Sequence, residues 1–155
     1  MDKQTQMKIL AKQFGDMKKN PDMMAFFPDK ANPFIWHVSF KGPQDSPFEG
    51  GIYHCEIDLN AYPDGHVGLQ LLHQNGSYQV NVLLCIVGIT SGGWTPGTTI
   101  ESVISSLSVL MSVPTGRHGT GFIVETNKEE ILRLVPISQS YVCATCGADH
   151  STVFK

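Results

Sequence analysis

An α+β fold is predicted from three features of the 155-residue sequence. The N-terminal stretch repeats apolar residues at helical spacing. A middle region alternates apolar and polar residues in short runs separated by turn residues. Toward the C-terminus, two capping sequences open helices. The order is helix, then a meander of strands, then helices, and that segregation along the chain is what an α+β domain shows.

The first twenty residues place Met7, Leu10, Phe14 and Met17 on one face of an amphipathic helix, with Lys3, Lys8, Lys12 and Lys18 around them. Asn20-Pro21 ends it, because the residue before proline is pushed out of the α region. Residues 21–33 hold three prolines and are expected as an extended connection. Alternation then predicts strands over Phe34–Lys41, Ile52–Leu59 and Val67–Leu72, three or four meander strands, taken as a four-stranded antiparallel sheet. Tyr62-Pro63-Asp64-Gly65 and Asn75-Gly76 are turn signals. Residues 78–89 are apolar but without a period, and a glycine-rich loop over Thr90–Gly97 carries Trp94. Thr98 to Glu101 has the form of a capping box for a helix through Val113, stopped by Pro114. Thr126 to Glu129 has the same form, for a short helix ending at Val135 before Pro136. The tail, Cys143–Lys155, has no period and is expected as a flexible extension of a single domain covering 1–155.

Composition limits the function. Only 16% of residues are charged and 41% are hydrophobic, so the chain is expected to fold rather than stay disordered. A net charge of −3 offers no basic excess for a phosphate backbone, so nucleic acid is not an expected partner. No apolar run approaches the ~18 residues of a membrane span, and the N-terminus has no secretory h-region. A soluble, cytosolic protein is expected.

The four cysteines fall into two groups. Without a signal peptide they are expected to stay reduced. Cys85 lies in the irregular apolar segment between a glycine turn and a glycine-rich loop, where a nucleophile can be presented. Its neighbours Val82, Leu83, Leu84 and Ile86 equally suit a packed core thiol. Cys143 and Cys146 have the C-x-x-C spacing of a metal knuckle. Closing such a site takes a second pair of donors, for which His150 and His118 are the candidates. Half a site is not a site, so no metal is expected, and a redox-sensitive tail pair is the plainer reading. No glycine run forms a nucleotide-binding fingerprint. Lys8 and Lys12 either meet an acidic partner or form a solvated helix face.

Several segments together resemble the ubiquitin-conjugating enzymes. They are Trp36-x-Val38-x-Phe40-x-Gly42-Pro43 running on through Ser46-Pro47-Phe48-Glu49-Gly50-Gly51-x-Tyr53, then Tyr62-Pro63, then Trp94-Thr95-Pro96. Cys85 falls where that family places its ubiquitin-accepting cysteine. The tail-anchored branch at the endoplasmic reticulum is more similar still. Cys85 follows ten residues after Asn75, a longer spacing than the family's usual H-P-N gives, and Asn75-Gly76-Ser77-Tyr78 stands where that branch has T-P-N-G-R-F. Met111 to Gly116 and the Cys143-x-x-Cys146-Gly147 ending also resemble it. Members of that branch end in a membrane anchor that this sequence lacks; either the chain was cut before it or it is a soluble relative.

The resemblance implies a UBC fold and a transferase that takes ubiquitin from the ubiquitin-activating enzyme as a thioester on Cys85. It then passes ubiquitin to substrate lysine, or to Ser/Thr, in endoplasmic-reticulum-associated degradation. No cofactor is bound; ATP is used by the activating enzyme. Lys8 and Lys12 are expected to meet the activating enzyme, and Asp64, Trp94 and Pro96 to face a RING-type ligase. Asn75 is the candidate oxyanion donor or turn-former, and His118 a candidate proton acceptor. The sequence departs from the family where Asp64 replaces an apolar residue after Tyr-Pro, where Gly97 follows the Trp-x-Pro motif, and where Val87 replaces an acidic or hydroxyl side chain. The loop beyond the second helix offers Arg117 and His118 in place of Asp. These departures alter the expected ligase interface. Membrane contact would come only through an absent tail, at the cytosolic face of the endoplasmic reticulum. The alternatives are a non-catalytic UBC-fold scaffold or ubiquitin-binding variant, and a conjugating enzyme for another ubiquitin-like modifier.

Overall fold

The computed structural model describes residues 1–86, 88–112 and 127–155. The elements run α1 (Lys3–Met17), β1 (Met23–Phe26), β2 (Ile35–Lys41), β3 (Ile52–Asp58), β4 (Gly68–Leu71), α2 (Ile100–Ser112) and α3 (Lys128–Ser138). The strands form one four-stranded antiparallel meander in the order β1-β2-β3-β4. This is the α+β fold expected from the sequence. The strand that the sequence hid is β1, inside the segment expected as a bare connection; Met23 pairs with Phe40 and Phe26 with His37 at the sheet edge. Residues 78–86 add no strand; Tyr78 and Val80 make isolated bridges, Val80 with Leu71.

The inward face of the sheet carries Trp36, Val38, Phe40, Tyr53, Cys55, Ile57, Leu69 and Leu71, all buried. Against it lies the apolar face of α2, with Ile100, Val103, Ile104, Leu107 and Met111 buried at the expected spacing. On α1 the buried residues are Gln6, Leu10 and Met17, whereas Met7 faces out. Gln6 takes the position expected for an apolar side chain because its amide has work there. Its Nε2 reaches the carbonyl oxygens of Leu59 (3.3 Å), Asn60 (3.1 Å) and Tyr62 (2.7 Å), fastening the helix to the turn before Pro63.

The helix starts also differ from expectation by a residue. Thr99 and Ser102 make the reciprocal cap of α2: Ser102 N–H donates to Thr99 Oγ1 and Thr99 N–H to Ser102 Oγ, each at 3.1 Å. Glu101 is thereby free to accept from Asn20 Nδ2 at 2.6 Å, tying α2 to the turn after α1. The cap of α3 is Asn127, whose Oδ1 accepts from the N–H groups of Glu129 and Glu130, while Thr126 lies outside the described residues, as do Val113 and Pro114. α3 runs through Pro136 to Ser138 instead of stopping before it. A proline there forfeits one bond, to the carbonyl of Leu132, on an exposed side of the last turns where water replaces it.

The tail is packed. Cys143, Ala148 and His150 are buried, and Val142 bridges Asp149 in a short antiparallel return. The expectation of a flexible extension is therefore corrected: the segment covers the outward face of β2 and β3.

Gln6→Leu keeps the volume and removes the amide, leaving the carbonyls of Asn60 and Tyr62 to find other partners, while Leu59 O keeps the Tyr62 N–H. Urea unfolding is expected to show a loss of about 1–3 kcal/mol, the cost of unsatisfied buried acceptors. An unchanged midpoint would show that water serves those carbonyls equally well.

Candidate active site

Cys85, like Cys146, is more open than the buried Cys55 and Cys143. It is half-buried between buried Leu84 and Ile86, and Leu83 beside it is 60% exposed. Cys55, by contrast, is fully buried on β3, and burial pushes its thiol up to about 12. Of the two isolated cysteines, one is core and the other reaches the surface.

The backbone around Cys85 is irregular but held. Asn81, at φ +60°, donates its N–H to Leu71 O at 2.8 Å, and Leu84 N–H donates to Leu69 O at 2.8 Å. After the cysteine, Ile86 N–H donates to Thr90 Oγ1 at 2.7 Å and Thr90 N–H returns to Ile86 O at 2.8 Å. The free edge of β4 thus anchors one side of the segment and a Thr90 turn anchors the other. Apolar anchors on both sides of Cys85 explain why its surroundings look like core in the sequence.

Asn75 is buried, and all its side-chain bonds are local. Oδ1 accepts from Ser77 N–H and Tyr78 N–H, both at 2.8 Å; Nδ2 donates to His73 O at 3.1 Å and Tyr78 O at 3.0 Å. The amide shapes its own turn, with both N–H groups already engaged. Ser77 Oγ carries the turn to α2 by donating to Met111 O at 3.0 Å.

The loops holding Asp64 and Trp94 meet. Gly92 N–H donates to Gly65 O at 3.2 Å, Trp94 Nε1 donates to Ile89 O at 3.0 Å, and the indole stands edge-on to Tyr62 at 6.2 Å. A Cβ on Gly65 would lie 2.5 Å from the Trp94 ring, which is why this turn needs glycine. Asp64 is exposed and hydrogen-bonds His66, which holds its carboxyl below the usual range. Pro96 is exposed as well. Lys8 and Lys12 project from the exposed side of α1, where Lys12 lies 3.8 Å from Asp16. Val87, Arg117 and His118 lie outside the described residues.

A second group of chemically active side chains collects under the tail. Cys143 and Cys146 meet His37 and His54; of the donors that the sequence suggested, His150 bonds Ser39 instead and His118 lies outside the described residues. Burial, with His37, His150 and His73 nearby, lowers His54 to about 3 and keeps it neutral. His73 is stacked 4.4 Å from Tyr141 and 5.8 Å from Tyr53, joining the tail to β3.

Residues 9–121 match the family described as ubiquitin-conjugating enzyme, and the chain belongs to that family. Ubiquitin-conjugating enzyme E2 J1 of Homo sapiens and that of Mus musculus are each 32% identical over 144 residues, covering 91% of this chain and 45% of the relative. Ubiquitin-conjugating enzyme E2 32 of Arabidopsis thaliana is 32% identical over 127 residues, 79% of this chain and 40% of the relative. Ubiquitin-conjugating enzyme E2 6 of Candida glabrata is 29% identical over 152 residues, 96% of this chain and 58% of the relative. The chain spans about half the length of the curated relatives it matches. Among the described residues no helix is long and apolar enough to cross a membrane.

The aromatic stack gives a pH dependence. Burial first, and the nearby His150 second, lower His73 from 6.5 to about 4. Below pH 6.5 the unfolded chain binds a proton that the folded ring refuses, so stability falls as pH drops from about 6.5 to about 4 and levels off below. Unfolding followed across this range should show a shallower slope in His73→Phe than in the wild type. Equal slopes would place the titration elsewhere.

Proposed function

We propose that the chain is a ubiquitin-conjugating enzyme whose thioester forms on Cys85. The observation that carries this reading is a half-exposed thiol on a segment pinned at both ends, at the position that resembles the family's acceptor cysteine. Family membership supports the same chemistry. The Cys85 thiolate attacks the carbonyl that joins ubiquitin to the activating enzyme. A new C–S bond forms through a tetrahedral oxyanion, and the activating enzyme's thiolate leaves. An acceptor amine (or, by resemblance to the tail-anchored branch, a hydroxyl) then attacks the same carbon, loses its proton to solvent or a base, and frees Cys85. ATP enters only at the activating enzyme.

Within that reading Asn75 is a positioning residue. Both its amide hydrogens are spent on the turn, so it acts by holding residues 73–78, the approach to the cysteine segment, in shape. Lys8 and Lys12 supply a basic surface for the activating enzyme. The joined Tyr62–His66 and Trp94–Pro96 loops supply the ligase surface, made more polar by Asp64. Endoplasmic-reticulum-associated degradation is the finer placement, supported by the resemblance to the tail-anchored branch and by relatives of the E2 J1 and E2 6 type.

Charging with activating enzyme, ATP and ubiquitin tests this. Wild type is expected to give an adduct cleaved by thiol reagents, Cys85→Ser a thiol-resistant oxyester, and Cys85→Ala none. A thiol-sensitive adduct surviving in Cys85→Ser would sink the assignment, and failure with ubiquitin but success with another modifier would rename the cargo. Asn75→Ala is expected to charge yet discharge to lysine more slowly, on the order of 10²-fold, the effect of a misplaced reacting group. Undiminished discharge would remove Asn75 from any part in transfer.

A further inference from the structure

The outward face of the sheet holds a cluster that thioester chemistry does not use. His37 on β2, His54 on β3, and Cys143 and Cys146 of the tail bring their ligand atoms within 4.8 Å of one another. We propose that these four side chains bind one Zn²⁺ ion in a closed tetrahedral Cys₂His₂ site that fastens residues 139–155 to the sheet.

The distances fit a common centre. Zinc with Zn–N of about 2.0–2.1 Å and Zn–S of about 2.3 Å sets two nitrogens about 3.3 Å apart and nitrogen from sulfur about 3.5 Å apart. Nδ1 of His37 and Nε2 of His54 are 3.3 Å apart. Cys143 Sγ is 3.5 Å from His37 Nδ1, and Cys146 Sγ is 3.2 Å from His54 Nε2. These three separations are within a few tenths of an ångström of the tetrahedral values, and the wider pairs, up to 4.8 Å, close by up to about an ångström as the ion binds.

The hydrogen bonds outside the cluster decide which nitrogens carry protons. His150 Nδ1 lies 2.8 Å from Ser138 O, a carbonyl that only accepts, so the proton is on Nδ1 and Nε2 is bare. Ser39 Oγ, 2.9 Å from that Nε2, must donate to it. Its single hydrogen spent, Ser39 accepts from His54 Nδ1–H at 2.8 Å, which leaves His54 Nε2 bare. On the other strand, His37 Nε2–H donates to the Glu56 carboxylate at 2.9 Å, leaving Nδ1 bare. Two lone pairs therefore point at one another across 3.3 Å with a sulfur beside each. While the cysteines keep their protons, Cys143 S–H and Cys146 S–H can donate to these two nitrogens; once the thiols ionise, a cation among the four atoms takes the place of those protons. Glu56 and Ser39 stand as the outer partners that orient metal-bound imidazoles, and Gln70 Nε2 in turn holds Glu56 at 2.8 Å.

The tail supplies the other half in knuckle form. Cys143-Ala144-Thr145-Cys146-Gly147 turns back at Gly147, φ +78°, where Gly147 N–H donates to Cys143 O at 2.9 Å. Backbone N–H groups of Thr145 and Cys146 face the Cys143 sulfur, and that of Ala148 faces Cys146. On binding, each thiol gives up its proton to solvent, two Zn–S and two Zn–N bonds form, and the two thiolates neutralise the ion. Four protein ligands leave no open position, so the site is structural. A disulfide between the two cysteines would leave the paired bare nitrogens unexplained.

The test uses the full chain, made without a histidine tag and purified in reducing, chelator-free buffer. Elemental mass spectrometry is expected to find about one zinc per chain. Exchange for Co²⁺ is expected to give the intense visible bands of a tetrahedral ion and thiolate-to-cobalt charge transfer. Cys143→Ser/Cys146→Ser and His54→Ala should lose the metal, and Cys85→Ser should keep it. Chelation should lower the melting temperature of the wild type. A wild-type protein that takes up neither ion, an octahedral cobalt spectrum without the thiolate band, or a double cysteine variant still holding one zinc would each overturn the site. Should the variants fail to fold, the wild-type cobalt spectrum decides alone. An unchanged melting temperature after chelation would overturn the fastening role.

Discussion

β2 and β3 are buried on both faces, and most of the structure follows from meeting that condition. An antiparallel pair ordinarily packs one face and wets the other. The helix-facing side is solved by apolar contact alone, with Trp36, Val38 and Phe40 set against α2. The other side carries His37, Ser39 and His54, none more than 1% exposed. Polar groups removed from water need partners, since each one left alone costs on the order of 1–3 kcal/mol. Those partners arrive from far along the chain: Ser138 at the end of α3, Cys143 and Cys146 in the knuckle, and His150 beyond it. The tail is thus the second layer of the sheet.

This accounts for what was legible in the sequence. Period and turn residues reveal elements whose neighbours are all on one side, so α1, α2, β2, β3 and β4 were visible in outline. β1 was not, because four residues between prolines look the same paired or unpaired. Met7 and Gln6 exchanged places because a helix wheel scores apolarity and does not see three carbonyls waiting at the end of β3. His37 and His54 sit at outward positions of two paired strands, where solvent-facing polar residues are the ordinary expectation. The signal that could have found them was their combination: two outward histidines on hairpin-related strands, and a C-x-x-C-G tail in need of two donors. The pairing of Ser39 with His54 and of His37 with Glu56 is set by strand register, which is readable only once the hairpin between β2 and β3 is known.

Cys85 was legible for a different reason. No local pattern distinguishes it from a packed thiol, and the resemblance of surrounding motifs made the assignment. The structure adds why both descriptions hold. Leu84 and Ile86 are core residues that lock the segment down, and the side chain between them emerges half-exposed. An acyl carrier gains from such an arrangement, because a thioester is productive only when its carbonyl is held in a reproducible place while its partners stay free to approach.

The two ends of the sheet are connected through β4. Its carbonyls at Leu69 and Leu71 take the N–H groups of Leu84 and Asn81, so the position of β4 sets the position of the Cys85 segment. β4 is held to β3 by its ladder and by Gln70, which donates to Glu56, whose other oxygen accepts from His37. His37 in turn faces Cys143. An unbroken run of bonds therefore leads from the tail cluster across three strands to the edge that carries Cys85. With zinc bound as proposed, the tail would hold that edge through this run of bonds. For the transfer proposed at Cys85, which needs one thiol held in a reproducible place, such a run of bonds would supply rigidity from the sheet behind it.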